Sequence, residues 1–226
     1  MAYTIGYSGY LNNPDIFIDE LKKRGINVLV DVRSEPYSAQ FDQFNREPFQ
    51  KKLEENGIIY RNYSEQFGAK QLNHRYYSKF DGIEDRIDYE LFTKSDIFLD
   101  GVERLKTMCK MKYLPAIMCA EKDPIKCHRA IMICNALYNG HNFKIAHIQP
   151  NRPDESHDAL ESRLIETIQS DLTNKKKLNL LEARMKDELF SLFSSGSAYK
   201  DDVQNYYKIM NSRIGWTFDQ SLGYRK

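Results

Sequence analysis

Short apolar runs alternate with amphipathic stretches over the first two thirds of the chain. We expect buried strands at residues 3–7, 27–33, 58–61, 113–118 and 143–148. Asn13 and Pro14 read as an N-cap and a first helical residue. The predicted helices cover residues 14–24, 46–55, 95–110 and 130–137. This alternation predicts an α/β fold, in which helices flank a mostly parallel sheet with Rossmann-like or rhodanese-like layering.

The pattern changes twice along the chain. Residues 63–94 have weak periodicity and many tyrosines, which predicts a lid or an irregular insertion. A boundary is predicted near residue 150, so that residues 1–150 form the α/β core carrying the site and residues 151–226 a helical C-terminal extension packed on it. No strand is expected beyond this boundary. Helices are predicted there at residues 156–169, 178–193 and 199–213, with Lys175–Lys177 as a solvated loop.

Composition limits the classes of protein to consider. The chain has 226 residues, of which 41% are hydrophobic and 29% charged, as in ordinary globular proteins. Its net charge of +1 excludes a global field that attracts nucleic acid. No apolar run approaches the length of a membrane span, the start of the chain does not resemble a signal peptide, and four cysteines are too few for a disulfide scaffold. We therefore expect a cytoplasmic protein that does not bind membranes.

Two strand ends carry charged or reactive residues. Asp31 and Arg33 lie two apart and so point to the same side of the second strand. They form either a structural ion pair or an anion hook in which Asp31 holds Arg33. Cys119 ends the strand before a polar loop, and it is either a small buried hydrophobe or a reactive thiol.

The loop after Cys119 leads into a predicted helix at Cys127-His128-Arg129. A thiol at a helix start beside histidine and arginine tends toward the thiolate. One chemistry is nucleophilic catalysis, with Glu121 or His128 carrying the proton and Arg33 or Arg129 holding an anion. A metal is the other: Cys119, Cys127 and His128 can offer soft ligands to zinc, with Glu121 or His74 added. The spacing matches no standard zinc pattern, so no cofactor is predicted and zinc stays an alternative.

The spacing between cysteine and arginine distinguishes this chain from rhodaneses and cysteine phosphatases, and a third family resembles it more closely. A rhodanese or cysteine phosphatase has an arginine six residues after its cysteine, whereas Arg129 follows Cys119 by ten. Ordered motifs resemble the family known as domain of unknown function 488 more closely: Thr4 to Ser8, Val30 to Ser34 with Pro36 and Ser38, Phe44-Asn45, Cys119 to Glu121, and Cys127 to Arg129. The resemblance covers residues 4 to about 150. Where members often show Leu-Gly-Gly after the third strand, this chain has Gln66-Phe67-Gly68.

The resemblance implies a fold and a shared polar constellation without an agreed reaction. As catalytic residues it points to Cys119, Glu121 and His128. As substrate-binding residues it points to Tyr7, Ser8, Asp31, Arg33, Ser34, Asn45, Cys127 and Arg129. Three strand ends would converge on one crevice that suits an anion.

Three functions remain open at this point. The leading hypothesis is an enzyme that acts on a nucleotide, a nucleic acid or another phosphorylated substrate at the carboxyl ends of the strands. The second is a nucleotide or nucleic-acid binding module without catalysis, for which the basic and aromatic residues 73–80 can neutralise phosphates and stack bases. A thiol-dependent sulfur-transfer protein is the third. Apolar positions of the last helices serve either intrachain packing or a homodimer: Leu178, Leu181, Leu189, Phe193, Tyr206 and Ile209.

Overall fold

A six-stranded sheet forms the centre of the molecule in the computed structural model. The structure describes residues 1–10, 13–79, 85–174, 178, 181–186 and 199–217. The strands of the large sheet are β1 (Ala2–Gly6), β2 (Val28–Asp31), β3 (Ile59–Asn62), β6 (Pro115–Cys119), β7 (Ile145–His147) and β8 (Glu155–Ser156). Their order is β3-β2-β6-β1-β7-β8, and every pairing is parallel except β7 with β8. The predicted α/β class with a mostly parallel sheet is confirmed.

Helices cover both faces of this sheet. They are α1 (Pro14–Lys23), α2 (Arg46–Glu55), α3 (Ser64–Phe67), α4 (Tyr89–Thr93), α5 (Asp96–Lys110), α6 (His157–Asn174) and α7 (Tyr199–Ile214). The predicted cap of α1 is present, because the Asn13 side chain accepts hydrogen bonds from two backbone N–H groups of the first turn. Gly25 and Gly57, which follow α1 and α2, have φ angles of +68° and +74° that favour glycine.

The helix after β6 has an unusual hydrogen-bond pattern. Residues 128–141, called the site helix below, are mostly π-helical, with segments Arg129–Cys134 and Ala136–Gly140. Residues 129–134 of this helix are all buried. A π-helical geometry is rare and is often found at functional sites. Periodicity predicted the helix and gave no sign of its hydrogen-bond type.

The tyrosine-rich insertion has regular elements where the structure describes it, so the expectation of an irregular segment was wrong there, and that it forms a lid stays a prediction. It contains α3, a two-stranded antiparallel hairpin of β4 (Tyr77–Lys79) and β5 (Asp85–Ile87), and α4. Tyr76, Tyr77, Tyr89 and Phe92 are buried in the same hydrophobic cluster as the sheet. The periodicity was weak because the elements are short and change type every few residues.

The chain after residue 150 continues the sheet before it becomes helical. Glu155–Ser156 pairs with β7, so the expectation of no further strand was wrong; two residues are too few to give a periodic signal. Helices α6 and α7 confirm two of the three predicted helices, and their apolar faces join the core cluster. Residues 181–186 are helical within the third. Its positions Leu189 and Phe193, and Lys175–Lys177, lie outside the described residues.

A buried polar chain ties the last helix to the sheet. Thr4 Oγ1 lies 2.8 Å from His147 Nδ1, and His147 Nε2 lies 3.0 Å from His157 Nδ1. His157 Nε2 is 3.0 Å from the Tyr207 hydroxyl, which donates to Glu161. One proton arrangement satisfies every member: each hydroxyl and each Nε2–H donates to the next group, and both imidazoles are neutral.

Among the described helices, none combines the length and apolar character that a membrane span requires.

Acidification should weaken the fold through His157. Burial lowers the pKa of His157 to about 4, whereas an unfolded histidine has a pKa of about 6.5. Between these values the unfolded chain binds the proton and the folded chain does not, so stability falls as the pH drops. At ~1.4 kcal/mol per pH unit, the loss from pH 6.5 to pH 4 is about 3 kcal/mol for this residue.

Urea unfolding at a series of pH values tests this expectation. The variant His157→Gln cannot titrate, so its free energy of unfolding should be lower at pH 7 but should decline less steeply below pH 6.5. An equal slope in the variant and the wild type would contradict the assignment of the acid sensitivity to His157.

Candidate active site

Three neighbouring strands end at the same edge of the sheet. Gly6 of β1 is in register with Cys119 of β6, and Asp31 of β2 is in register with Met118. The residues that follow these strands therefore meet, and they surround a cavity of about 370 Å³, called the strand-end cavity below. Ligands of open α/β sheets bind at this edge. Seven of the predicted site residues line the cavity: Tyr7, Arg33, Ser34, Cys119, Glu121, Cys127 and His128.

Two thiols and an imidazole form the centre of the cavity wall. The Sγ atoms of Cys119 and Cys127 and a ring nitrogen of His128 all lie within 4.8 Å of one another. We call these three residues the thiol cluster. His128 Nδ1 is 3.7 Å from Cys119 Sγ, and His128 Nε2 is 3.1 Å from the Val32 carbonyl oxygen. Because a carbonyl only accepts, Nε2 carries the proton and Nδ1 faces the sulfur.

The two thiols have opposite protonation tendencies. Burial opposes a charge on Cys127, but the hydrogen bond from Cys119, the positive Arg129 and the neighbouring His128 outweigh it and hold the pKa of Cys127 well below its ordinary value. The hydrogen bond with Cys127, followed by burial, raises the pKa of Cys119 well above its ordinary value. Burial acts to lower the pKa of His128, yet the Cys127 sulfur raises it overall. Of the two thiols, Cys127 therefore has the stronger tendency to ionise.

Glu121 joins the cluster from the mouth of the cavity. The residue as a whole is exposed, but its carboxylate is turned inward and lies 2.9 Å from Cys127 Sγ. Partial burial of the carboxylate and the negative Cys127 raise the pKa of Glu121. A carboxyl group with a raised pKa can give and take a proton near neutral pH.

Arg33 is held rigidly by Asp31, as the spacing predicted. Its guanidinium makes two-point contact with the Asp31 carboxylate, at distances of 2.6–3.1 Å, and donates to the Phe44 carbonyl. Burial opposes its charge, but the bonds to Asp31 raise the pKa of Arg33, so it stays charged. Nη1 is buried and has no acceptor among the described residues. Asp31, which also accepts from Tyr60, lies behind Arg33 and does not line the cavity.

Arg129 fixes the loop after β6 from below. It is fully buried, and its guanidinium donates to the backbone carbonyls of Glu121, at 2.5 Å, and Lys122, at 3.2 Å. Gly6 makes this closure feasible, because a Cβ at that position would lie 1.8 Å from the Glu121 carbonyl oxygen. Arg129 thus lies beneath the cavity without lining it. That it binds substrate directly stays a prediction.

Three further predicted residues occupy different positions around the cavity. Ser34 lines it and accepts a hydrogen bond from the Lys70 backbone N–H. Asn45 lies outside and accepts from the Ser38 backbone N–H, which shapes the loop between β2 and α2. Ser8 also does not line the cavity, and its backbone N–H donates to the Ala120 carbonyl. For Ser8 and Asn45, contact with a substrate stays a prediction.

Several lining residues were absent from the sequence prediction. Tyr89 lines the cavity, and its buried hydroxyl has no hydrogen-bond partner in the described part of the chain. Lys70 and Lys126 add positive charge, and Lys70 lies 4.0 Å above the ring centre of Trp216. Trp216 and Tyr37 remain partly exposed at the rim. Tyr89 and Trp216 come from segments without a motif, so only the folded chain reveals them.

A second cavity of about 500 Å³ lies between α4, the site helix and α7. Five of its fifteen lining residues carry carboxamide side chains, and Tyr89 forms part of the wall of both cavities. None of the predicted site residues lines it. The chemistry is therefore concentrated in the smaller strand-end cavity.

The fold and the cavity define a class: an α/β protein with a cluster of two thiols and an imidazole at the carboxyl ends of parallel strands. The sequence profile of the family described as "Domain of unknown function DUF488" matches residues 13–135. The match spans more than half of the 226 residues, and the chain belongs to this family. Neither a curated protein nor a solved structure matches the chain significantly. The matched range contains the thiol cluster, Glu121 and Arg33, whereas Tyr7 and Trp216 lie outside it.

The close approach at Gly6 gives a stability prediction. In Gly6→Ala the new methyl group collides with the Glu121 backbone carbonyl, which cannot move without loosening the loop that Arg129 holds. We expect a loss of about 3 kcal/mol or more in the free energy of unfolding, because overpacking against backbone is poorly relieved.

Gly140→Ala is the matched control for this substitution. A Cβ at Gly140 meets no atom within 4 Å, and the residue lies in a helix. Its effect should stay within about 1 kcal/mol and be stabilising if anything. Equal stability changes for the two variants in denaturant titrations would contradict the tight packing at Gly6.

Proposed function

We propose that this protein is an enzyme that acts on a nucleotide or another phosphorylated small molecule bound in the strand-end cavity. One observation carries the proposal: the thiol cluster, the Glu121 carboxylate and the rigid Arg33 face the same cavity of about 370 Å³. Reactive and anion-binding groups that line one cavity are what an enzyme of this substrate class needs.

The lining supports the substrate class. The volume falls in the range of about 300–1,000 Å³ that small-molecule sites occupy. An oxyanion that reaches Arg33 Nη1 would satisfy a buried donor that has no acceptor among the described residues. Lys126 adds a second positive charge, and the partly exposed ring of Trp216 offers a surface for a nucleobase. These features suit a ligand with an anionic end and a planar end.

The residues have separable roles in this proposal. Arg33 binds the anionic group, with Asp31 and Tyr60 keeping its guanidinium in place. Glu121 carries the proton, since its carboxylate is within reach of the cluster and its pKa is raised. The thiol cluster supplies the reactive centre. The reduced state of its cysteines is consistent with action in the cytoplasm, where free thiols persist.

Glu121→Gln tests catalysis separately from binding. Incubation of the purified protein with a mixture of nucleotides and phosphorylated metabolites, followed by mass spectrometry, should identify a compound that is consumed. The variant should turn this compound over at least about 100-fold more slowly, because a positioned proton carrier contributes about 10²–10⁴-fold. Its dissociation constant, measured by calorimetry, should stay within about threefold of the wild type.

Matched substitutions away from the cavity serve as controls for the two cavity variants. Lys126→Ala should weaken binding about tenfold at low salt, whereas Lys51→Ala, an exposed lysine on α2, should leave it unchanged. Glu103→Gln on α5 provides the same chemical change as Glu121→Gln away from the cavity. If no nucleotide or phosphorylated compound is bound or consumed, the proposal is wrong.

Two other functions remain as outcomes of the same experiment. Binding of a nucleotide or oligonucleotide without turnover would indicate a non-catalytic binding module. The second alternative is thiol-dependent sulfur transfer. The lowered pKa of Cys127 favours this residue as its nucleophile. Consumption of thiosulfate or a persulfide, with the phosphorylated compounds untouched, would select it.

A further inference from the structure

The donor atoms of the thiol cluster have the arrangement of a metal site. In a tetrahedral zinc site with bonds of about 2.3 Å to sulfur and about 2.1 Å to nitrogen, a sulfur and a nitrogen lie about 3.6 Å apart. The Cys119 Sγ and His128 Nδ1 atoms are 3.7 Å apart, and no pair in the cluster exceeds 4.8 Å. Small inward rotations of the side chains would bring all three donors onto one ion.

We propose that Cys119, Cys127 and His128 bind a zinc ion through two sulfurs and one ring nitrogen, with a fourth position open to the strand-end cavity. Three protein ligands with an open position are typical of catalytic rather than structural zinc sites. This inference rests on the proposed function only for what the ion would act on. Binding of the metal itself depends on the cluster alone.

Backbone geometry explains how adjacent residues can bind the same ion. Cys127 is extended, with φ and ψ of −135° and 138°, whereas His128 begins the site helix with values of −57° and −25°. The chain turns between them, so both side chains reach the same point at which β6 delivers Cys119.

A fixed second contact prepares His128 for a metal. Its Nε2–H donates to the Val32 carbonyl at 3.1 Å, which leaves the Nδ1 lone pair facing Cys119 Sγ at 3.7 Å. Histidine ligands of metals commonly make such a bond through their other nitrogen, because it fixes both ring orientation and tautomer. Val32 directly follows β2, so the neighbouring strand sets the direction of this ligand.

Charge and space also suit a divalent cation. Two thiolates and a neutral imidazole would balance the charge of Zn²⁺. Glu121 contacts only Cys127 within the cluster and so remains beside the ion as a proton carrier. The buried hydroxyl of Tyr89, which has no partner among the described residues, lines the same cavity and can bond to a molecule in the open position.

Metal content and cobalt spectroscopy of the full chain test the site. The protein is purified under reducing conditions, stripped with a chelator and reconstituted with Zn²⁺ or Co²⁺. We expect one zinc per chain by elemental analysis, and with Co²⁺ the thiolate charge-transfer bands and intense visible bands of a tetrahedral complex. Cys119→Ser, Cys127→Ser and His128→Gln should each weaken binding at least about 100-fold, while Cys109→Ser on α5 should not change it.

A second measurement on the unmodified chain does not depend on how the variants fold. Zinc should protect the thiols of Cys119 and Cys127 from alkylation, as mapped by peptide mass spectrometry, and leave Cys109 unprotected.

Glu121→Gln should retain stoichiometric zinc if this residue is not a ligand.

Two results would overturn the proposal. One is the absence of stoichiometric zinc in the reconstituted wild type, and the other is zinc binding in the three ligand variants that is as tight as in the wild type. Loss of zinc from Glu121→Gln would contradict the open position. These measurements contain no nucleotide, so a failure of the metal site and a failure of the proposed substrate class remain distinguishable.

Discussion

The buried guanidinium of Arg129 is the contact on which the candidate site depends. Strand β6 lies between β1 and β2, and the loop that leaves it passes over Gly6 at the end of β1. Arg129 holds that loop by the carbonyls of Glu121 and Lys122, and Gly6 provides the space beneath them. A buried charge is costly unless it is compensated, and here the carbonyl dipoles of Glu121 and Lys122 contribute to the compensation. One side chain thereby sets the shape of the loop and the charge of the cluster.

The members of the thiol cluster lie on rigid, buried elements. Cys119 is the last residue of a fully buried strand, and His128 begins a buried helix whose direction is fixed by the core. Val32 and Cys127 are likewise buried. In such surroundings the interactions between sulfur, imidazole and guanidinium are weakly screened, which is why the two thiols diverge so strongly in pKa. Glu121, from the more exposed loop, is the member that can exchange protons with solvent.

Sequence reasoning identified five of the six strands of the large sheet, most helices and the edge of the sheet at which several of the predicted site residues meet. Hydrophobic periodicity suffices for helices such as α2, whose buried residues Phe49 and Leu53 lie four positions apart. Capping chemistry predicted the start of α1. It could not show that Tyr89 reaches the cavity, since this depends on the packing of α4 against the site helix. Nor could it show that Asn45 and Ser8 lie outside the lining. Spacing reports neighbours along the chain, whereas the cavity is defined by neighbours in space.

The cavity is assembled from parts of different origin, and this division has a consequence for specificity. The thiol cluster, Glu121 and Arg33 lie in the range that the family profile matches. Tyr7 precedes this range, and Trp216 follows α7 and is brought to the rim next to the hairpin, where Thr217 pairs with Arg86. The thiol cluster, Glu121 and Arg33 are thus supplied by the shared core, and Tyr7 and Trp216 by segments outside it. A protein with the same core and a different C-terminal segment would retain the thiol cluster and present a different surface at the rim of the cavity.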